Sequence, residues 1–156
     1  MGKVTRIGQS RNSVTDAEID EMLAPLRKAR DVVSLVLTAH LIIEAQLIKA
    51  IEHHCRDPKH LEKARLSFKQ RLDVLQALEP IDKATVEAVV VLNNVRNHLL
   101  HNLKRRPYSK LLSEFNRTVE KRLSGAPKAD NEVELFMQCL VFTIGTFAAH
   151  GAYKAR

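Results

Sequence analysis

The chain has 156 residues, enough for one domain with a buried core, and its five Gly and five Pro are too few for a turn-rich sandwich or barrel. Lys and Arg number 25 against 18 Asp and Glu, and the formal charge of +7 points to an acidic partner, nucleic acid first. Aromatic residues make up 4% of the chain and Trp is absent, which argues against a single-strand binder that stacks bases on aromatic platforms.

Residues 1–14 read as a flexible basic arm carrying Lys3, Arg6 and Arg11, and residues 15–156 as one helical domain. Met1 to Thr15 has no apolar h-region, so no secretory signal is expected. Cys55 and Cys139 are too few for a disulfide scaffold and suit a reducing compartment, which makes the cytoplasm the expected location.

Thr15 and Glu18 have the spacing of a capping box and open a first helix, with Ile19, Met22, Leu23 and Leu26 on its apolar face. Pro25 falls inside that pattern and predicts a short or kinked helix. Asp31 caps a second helix to about Cys55, where Asp57-Pro58 stops it. Val32, Val33, Leu35, Val36 and Leu37 have the β-branched content of a strand, but the apolar period continues to Ile51, too long for one. Within this helix Leu37, Leu41, Ile48 and Ile51 form the expected apolar stripe, with Glu44 in its middle. A third helical region, broken near Ser67, carries Leu61, Phe68, Leu72, Leu75 and Leu78 and ends at Glu79-Pro80. Asp82 caps a fourth helix, roughly to Arg105 before Pro107. Ser109 opens a fifth through Leu123, closed by Gly125 as a left-handed residue. The sixth runs from about Glu132 to Tyr153. Leu135 to Tyr153 is apolar nearly all round and reads as a buried core or dimer helix rather than a span, so no membrane partner is expected. The expected fold is therefore all-α, an antiparallel bundle of about six helices.

The fourth helix holds the residues with the most chemistry, Arg96-Asn97-His98-Leu99-Leu100-His101. Arginine presents a rigid fork of donors to a phosphate, and histidine can move a proton near neutral pH. On an ideal wheel Leu92, Val95, Leu99 and Leu103 share one side, and Asn94, Asn97, His101 and Arg105 the other. Arg96 lies beside the apolar side, roughly 140° from His101. A carboxylate among leucines needs a partner, and Arg96 is the expected one for Glu44. Lys104, Arg105 and Arg106 form a basic cluster beyond His101, suited either to the negative end of the helix or to phosphate. His53, His54, Cys55 and His60, with Asp57 between, match no established zinc spacing and read as a solvated helix end. His40 and His150 read as hydrogen-bonded core histidines, and His98 as solvated. Neither metal nor cofactor is expected.

Arg96-Asn97-x-x-x-His101 near the end of a long helix resembles the signature of the HEPN superfamily, small all-helical domains. Leu66-Ser67-Phe68-Lys69-Gln70-Arg71-Leu72, then Leu75, Leu78, Ile81 and Leu92-Asn93-Asn94-Val95-Arg96-Asn97, resembles the mannitol-operon-repressor branch, with Glu44 and Leu47 at the acidic position of the early helix. The likeness spans roughly residues 30–105. It implies a homodimer whose two motifs meet at the interface and an RNA-directed role, either as a metal-independent endoribonuclease of toxin or defence type or as a non-catalytic transcriptional regulator or interaction module. DNA binding, a cognate antitoxin and a regulatory protein partner are all compatible with it. Under the resemblance His101 serves as general acid or base, Arg96 stabilises charge at phosphorus, Asn97 orients phosphate or His101, and Glu44 holds Arg96.

Overall fold

The computed structural model describes residues 16–101, 109–122, 125 and 128–148. Among them the chain is all-α, with seven helices and no strand: α1 (Asp16–Arg27), α2 (Val32–His54), α3 (Lys59–Lys63), α4 (Phe68–Leu78), α5 (Lys83–His101), α6 (Ser109–Arg122) and α7 (Glu132–Phe147). The seventh helix arises because the third helical region divides near Ser67, where the pattern predicts a break. The basic arm, Thr15, Lys104–Arg106 and His150 lie outside the described residues.

Local chemistry sets the boundaries. The Asp31 carboxylate accepts the Ser34 N–H at 2.9 Å while the Asp31 N–H donates to the Ser34 hydroxyl, a reciprocal box that opens α2. The Ser34 N–H bond holds the Asp31 carboxyl below its ordinary range. Ser67 and Gln70 repeat the box at α4, and Asp82 opens α5 by accepting from the N–H and hydroxyl of Thr85. Arg65, at φ 48°, reverses the chain between α3 and α4, and Gly125, at φ 79°, follows α6.

Packing is centred on α2. Its Val36, Ala39, Ile43 and Leu47 have no solvent exposure, and they meet core residues such as Leu72 of α4, Val89 and Val95 of α5, and Ile144 of α7 in one cluster. Burying each such Leu or Ile stabilises the fold by about 1.5–3 kcal/mol. This helix is also long and apolar enough to cross a bilayer by composition, and 39% of its most apolar stretch is buried inside the bundle. Most of the stripe expected from the sequence is displaced around the helix: Ile51 is buried as expected, but Leu41 is 63% exposed and Leu37 and Ile48 are half-buried, whereas Leu35, Val36, Ala39, Ile43 and Leu47 face the core. Both sets have helical spacing, so periodicity alone leaves the choice open, and the packing of neighbouring helices decides it.

Three ordered pairs give the direction of α4. Phe68 stacks on His40, Arg71 meets Glu44, and Glu79 at the end of α4 meets His54 at the end of α2. The two helices therefore run side by side in the same direction, with the α3 segment carrying the chain back between them. α5 starts beside that shared end, passes His40 at Asn93 and so runs against both. On the far side Ser113 and Phe115 of α6 meet Glu132 and Phe136 of α7, the two rings edge to face at 5.5 Å. Phe136, Cys139, Leu140, Thr143, Ile144 and Phe147 line the buried face of α7. Burial there pushes the Cys139 thiol up to about 11, with Glu120 adding to the effect, so this thiol stays protonated.

Candidate functional site

A polar seam crosses the bundle where α2, α4 and α5 meet. At its base His40 is 4% exposed, donates from Nε2 to Asn93 Oδ1 at 3.0 Å, and lies against the Phe68 ring with 4.5 Å between centroids. Burial lowers its pKa below the ordinary histidine value, and the nearby Arg96 charge adds to that. The Asn93 hydrogen bond and the Glu44 carboxylate act in the opposite direction. His40 is thus the neutral, hydrogen-bonded core histidine that its lone place in an apolar helix predicts.

One turn above His40, Glu44 is held by Arg71, with Nη1 to Oε1 at 2.6 Å and side chains 27% and 20% exposed. This corrects the expected Glu44–Arg96 pair. Two arginines, Arg71 and Arg96, stand at the edges of apolar stripes on two different helices, and only the parallel register of α4 on α2 brings Arg71 to the carboxylate. The spacing of Phe68, Arg71, Leu72 and Leu75 carries the signal, since it puts Arg71 on the buried side of its own helix. Which arginine wins depends on helix order in space.

The consequence for α5 is direct. Arg96 is half-buried, and among the described residues its side chain makes one hydrogen bond, from Nη1 to Asn97 Oδ1 at 2.9 Å. That partner is neutral and no carboxylate among the described residues forms an ion pair with the guanidinium, which leaves most of its donors available to an anion. Asn97 is half-buried beside it, and His101, one turn on, is exposed. Asn94 is exposed as well, so the polar side of this helix lies where the wheel places it. The helix nevertheless keeps Arg96 and His101 apart, roughly 140° around the cylinder, so one copy of the chain does not converge them on a single phosphorus.

The remaining histidine cluster is a solvated helix end at His53 and His60, both exposed, but not at His54. His54 Nε2 meets Glu79 Oε1 at 2.8 Å with both side chains under 20% exposed, tying the ends of α2 and α4 together, while exposed His60 approaches Asp57 at 3.6 Å. Among the described residues no three His, Cys, Asp or Glu side chains are grouped to hold a metal ion. Lys104, Arg105 and Arg106 fall outside the described residues. Comparison with protein-family models, with curated proteins and with solved structures finds no match for this chain.

Proposed function

We propose that this chain is an RNA-directed protein of the HEPN type, acting as a homodimeric, metal-independent endoribonuclease through the face of α5 that carries Arg96, Asn97 and His101. The observation that carries the reading is the release of Arg96: Arg71 answers Glu44, and Arg96 is left half-buried with the Asn97 amide as its side-chain partner among the described residues. An arginine paired with a carboxylate has little capacity for phosphate, whereas one bound to a neutral amide retains it. The net charge of +7 draws a polyanion to the surface.

In this scheme two copies appose their α5 faces, so that Arg96 of one protomer and His101 of the other flank one phosphodiester. His101 takes the proton from the ribose 2′-hydroxyl, whose oxygen attacks phosphorus. The Arg96 guanidinium, oriented by Asn97, meets the charge that builds on the phosphoryl oxygens. The bond to the 5′ oxygen breaks, that oxygen takes up a proton, and the ends are a 2′,3′-cyclic phosphate and a 5′-hydroxyl. DNA lacks the attacking hydroxyl and resists.

The test is incubation of purified protein with a mixed-sequence RNA in EDTA, comparing wild type with His101→Ala and Arg96→Ala. The scheme predicts cyclic-phosphate ends from wild type and a loss of about 100-fold or more in either variant, the scale of removing a general acid–base or a charge-stabilising group. Cleavage that persists in His101→Ala, or its absence in wild type, removes the nuclease. RNA retained without cleavage would favour a non-catalytic regulator or interaction module built on the same face.

A further inference from the structure

A second feature lies on the segment that returns the chain from α2 to α4. Arg56, Lys59, Lys63 and Arg65 stand there, all exposed, and none makes an ion pair or side-chain hydrogen bond among the described residues. The acids of the segment are fewer. Asp57 accepts the Lys59 N–H and faces His60, which leaves Glu62. Farther on, Lys69 is taken by Asp73.

α3 turns these charges outward. Leu61 is half-buried against the core, and Lys59 and Lys63, one turn apart, fall on the opposite side of the helix. The arrangement works against folding. Like charges four positions apart weaken a helix that has only five residues. Arg65 holds φ at 48°, where a residue with a Cβ is strained and glycine would make the same turn without the cost. Repulsion and strain that the fold does not need point to a ligand that supplies negative charge. One end of the row also comes close to the α5 face. Phe68, three residues after Arg65, stacks on His40, and both Asn93 and the Arg96 charge reach the same imidazole.

We propose that this segment is a docking track for the sugar–phosphate backbone of single-stranded nucleic acid, carried by Lys59, Lys63 and Arg65 and leading toward Arg96. It rests on the RNA-directed reading of α5 for where the strand leads, and not for cleavage. Backbone phosphates are met by charge alone, so RNA and DNA bind the track alike. The near absence of aromatic residues is no obstacle, because the track stacks no bases. An anionic membrane fits less well: Leu61 is turned to the core, so the outward face of α3 has no apolar side chain to insert.

The test is fluorescence anisotropy with labelled oligodeoxythymidylate over a range of salt, beside urea unfolding of each variant. Wild type should bind, with log K falling as log salt rises. Lys59→Gln combined with Lys63→Gln should lower the slope by about 1.4, and Arg65→Gly by about 0.7, each 0.7 being about fivefold in affinity per decade of salt. Arg65→Gly should also unfold no earlier than wild type, an opposition of stability and binding that a purely structural Arg65 would not show. No DNA binding by wild type, an unchanged slope in either variant, or equally tight binding to anionic vesicles would overturn the track. Lowered slopes beside RNA that stays intact in EDTA would retire the nuclease and leave the track standing.

Discussion

His40 is held neutral by its surroundings, and this makes the stability of the fold depend on pH. Burial lowers its folded-state pKa below the ordinary value near 6.5, so the unfolded chain binds the proton more readily than the folded one. The contribution is therefore complete above about pH 6.5 and is lost as pH falls through and below that value. Urea midpoints should drop between about pH 7.5 and 5.5 in wild type, and the drop should shrink in His40→Leu. A wild-type curve that is flat over this window would contradict the burial of a neutral imidazole. The Glu44–Arg71 pair makes a second prediction at the same scale. A double-mutant cycle with Glu44→Gln and Arg71→Met should give a coupling of about 1 kcal/mol, modest because both groups retain some solvent. The same cycle between Glu44 and Arg96 should give no more than a few tenths of a kcal/mol.

Helix boundaries were legible because they are written in short-range chemistry. Asp31, Ser67 and Asp82 each precede an apolar run and each accepts a backbone N–H three residues on. Ser67→Ala should accordingly cost about 1 kcal/mol in stability by denaturant titration, the usual effect of losing a serine cap. Arg65→Gly, at the left-handed turn just before it, should be neutral or gain up to about 1 kcal/mol. What could not be read was the arrangement of helices against one another. The displaced stripe of α2 and the exchange of Arg96 for Arg71 have one origin: the α3 segment returns the chain so that α4 lies parallel to α2. No residue spacing within a single helix encodes which neighbour its edge will meet. The polar face of α5 was legible for the opposite reason, since Asn94, Asn97 and His101 need only to stay away from the core. His54, assigned to a solvated end, is fixed by Glu79 across 25 positions of sequence, a pairing that also waits on the parallel register.

At the scale of the whole molecule, an all-α bundle of net charge +7 carries an acidic element, α1, at one place and a half-buried arginine with a neutral partner at another. The functional account rests on the difference between two arginines, Arg71 committed to Glu44 and Arg96 open to a phosphate. The salt dependence of RNA affinity separates them, because each phosphate contact adds about 0.7 to the slope of log K against log salt for a single strand. Wild type should bind single-stranded RNA with a steep slope. Arg96→Ala should lower both the affinity and the slope, by roughly one phosphate contact per site. Arg71→Ala, checked as folded, should leave the slope unchanged. An Arg71→Ala slope that falls as far as that of Arg96→Ala, or an Arg96→Ala slope equal to that of wild type, would contradict the account.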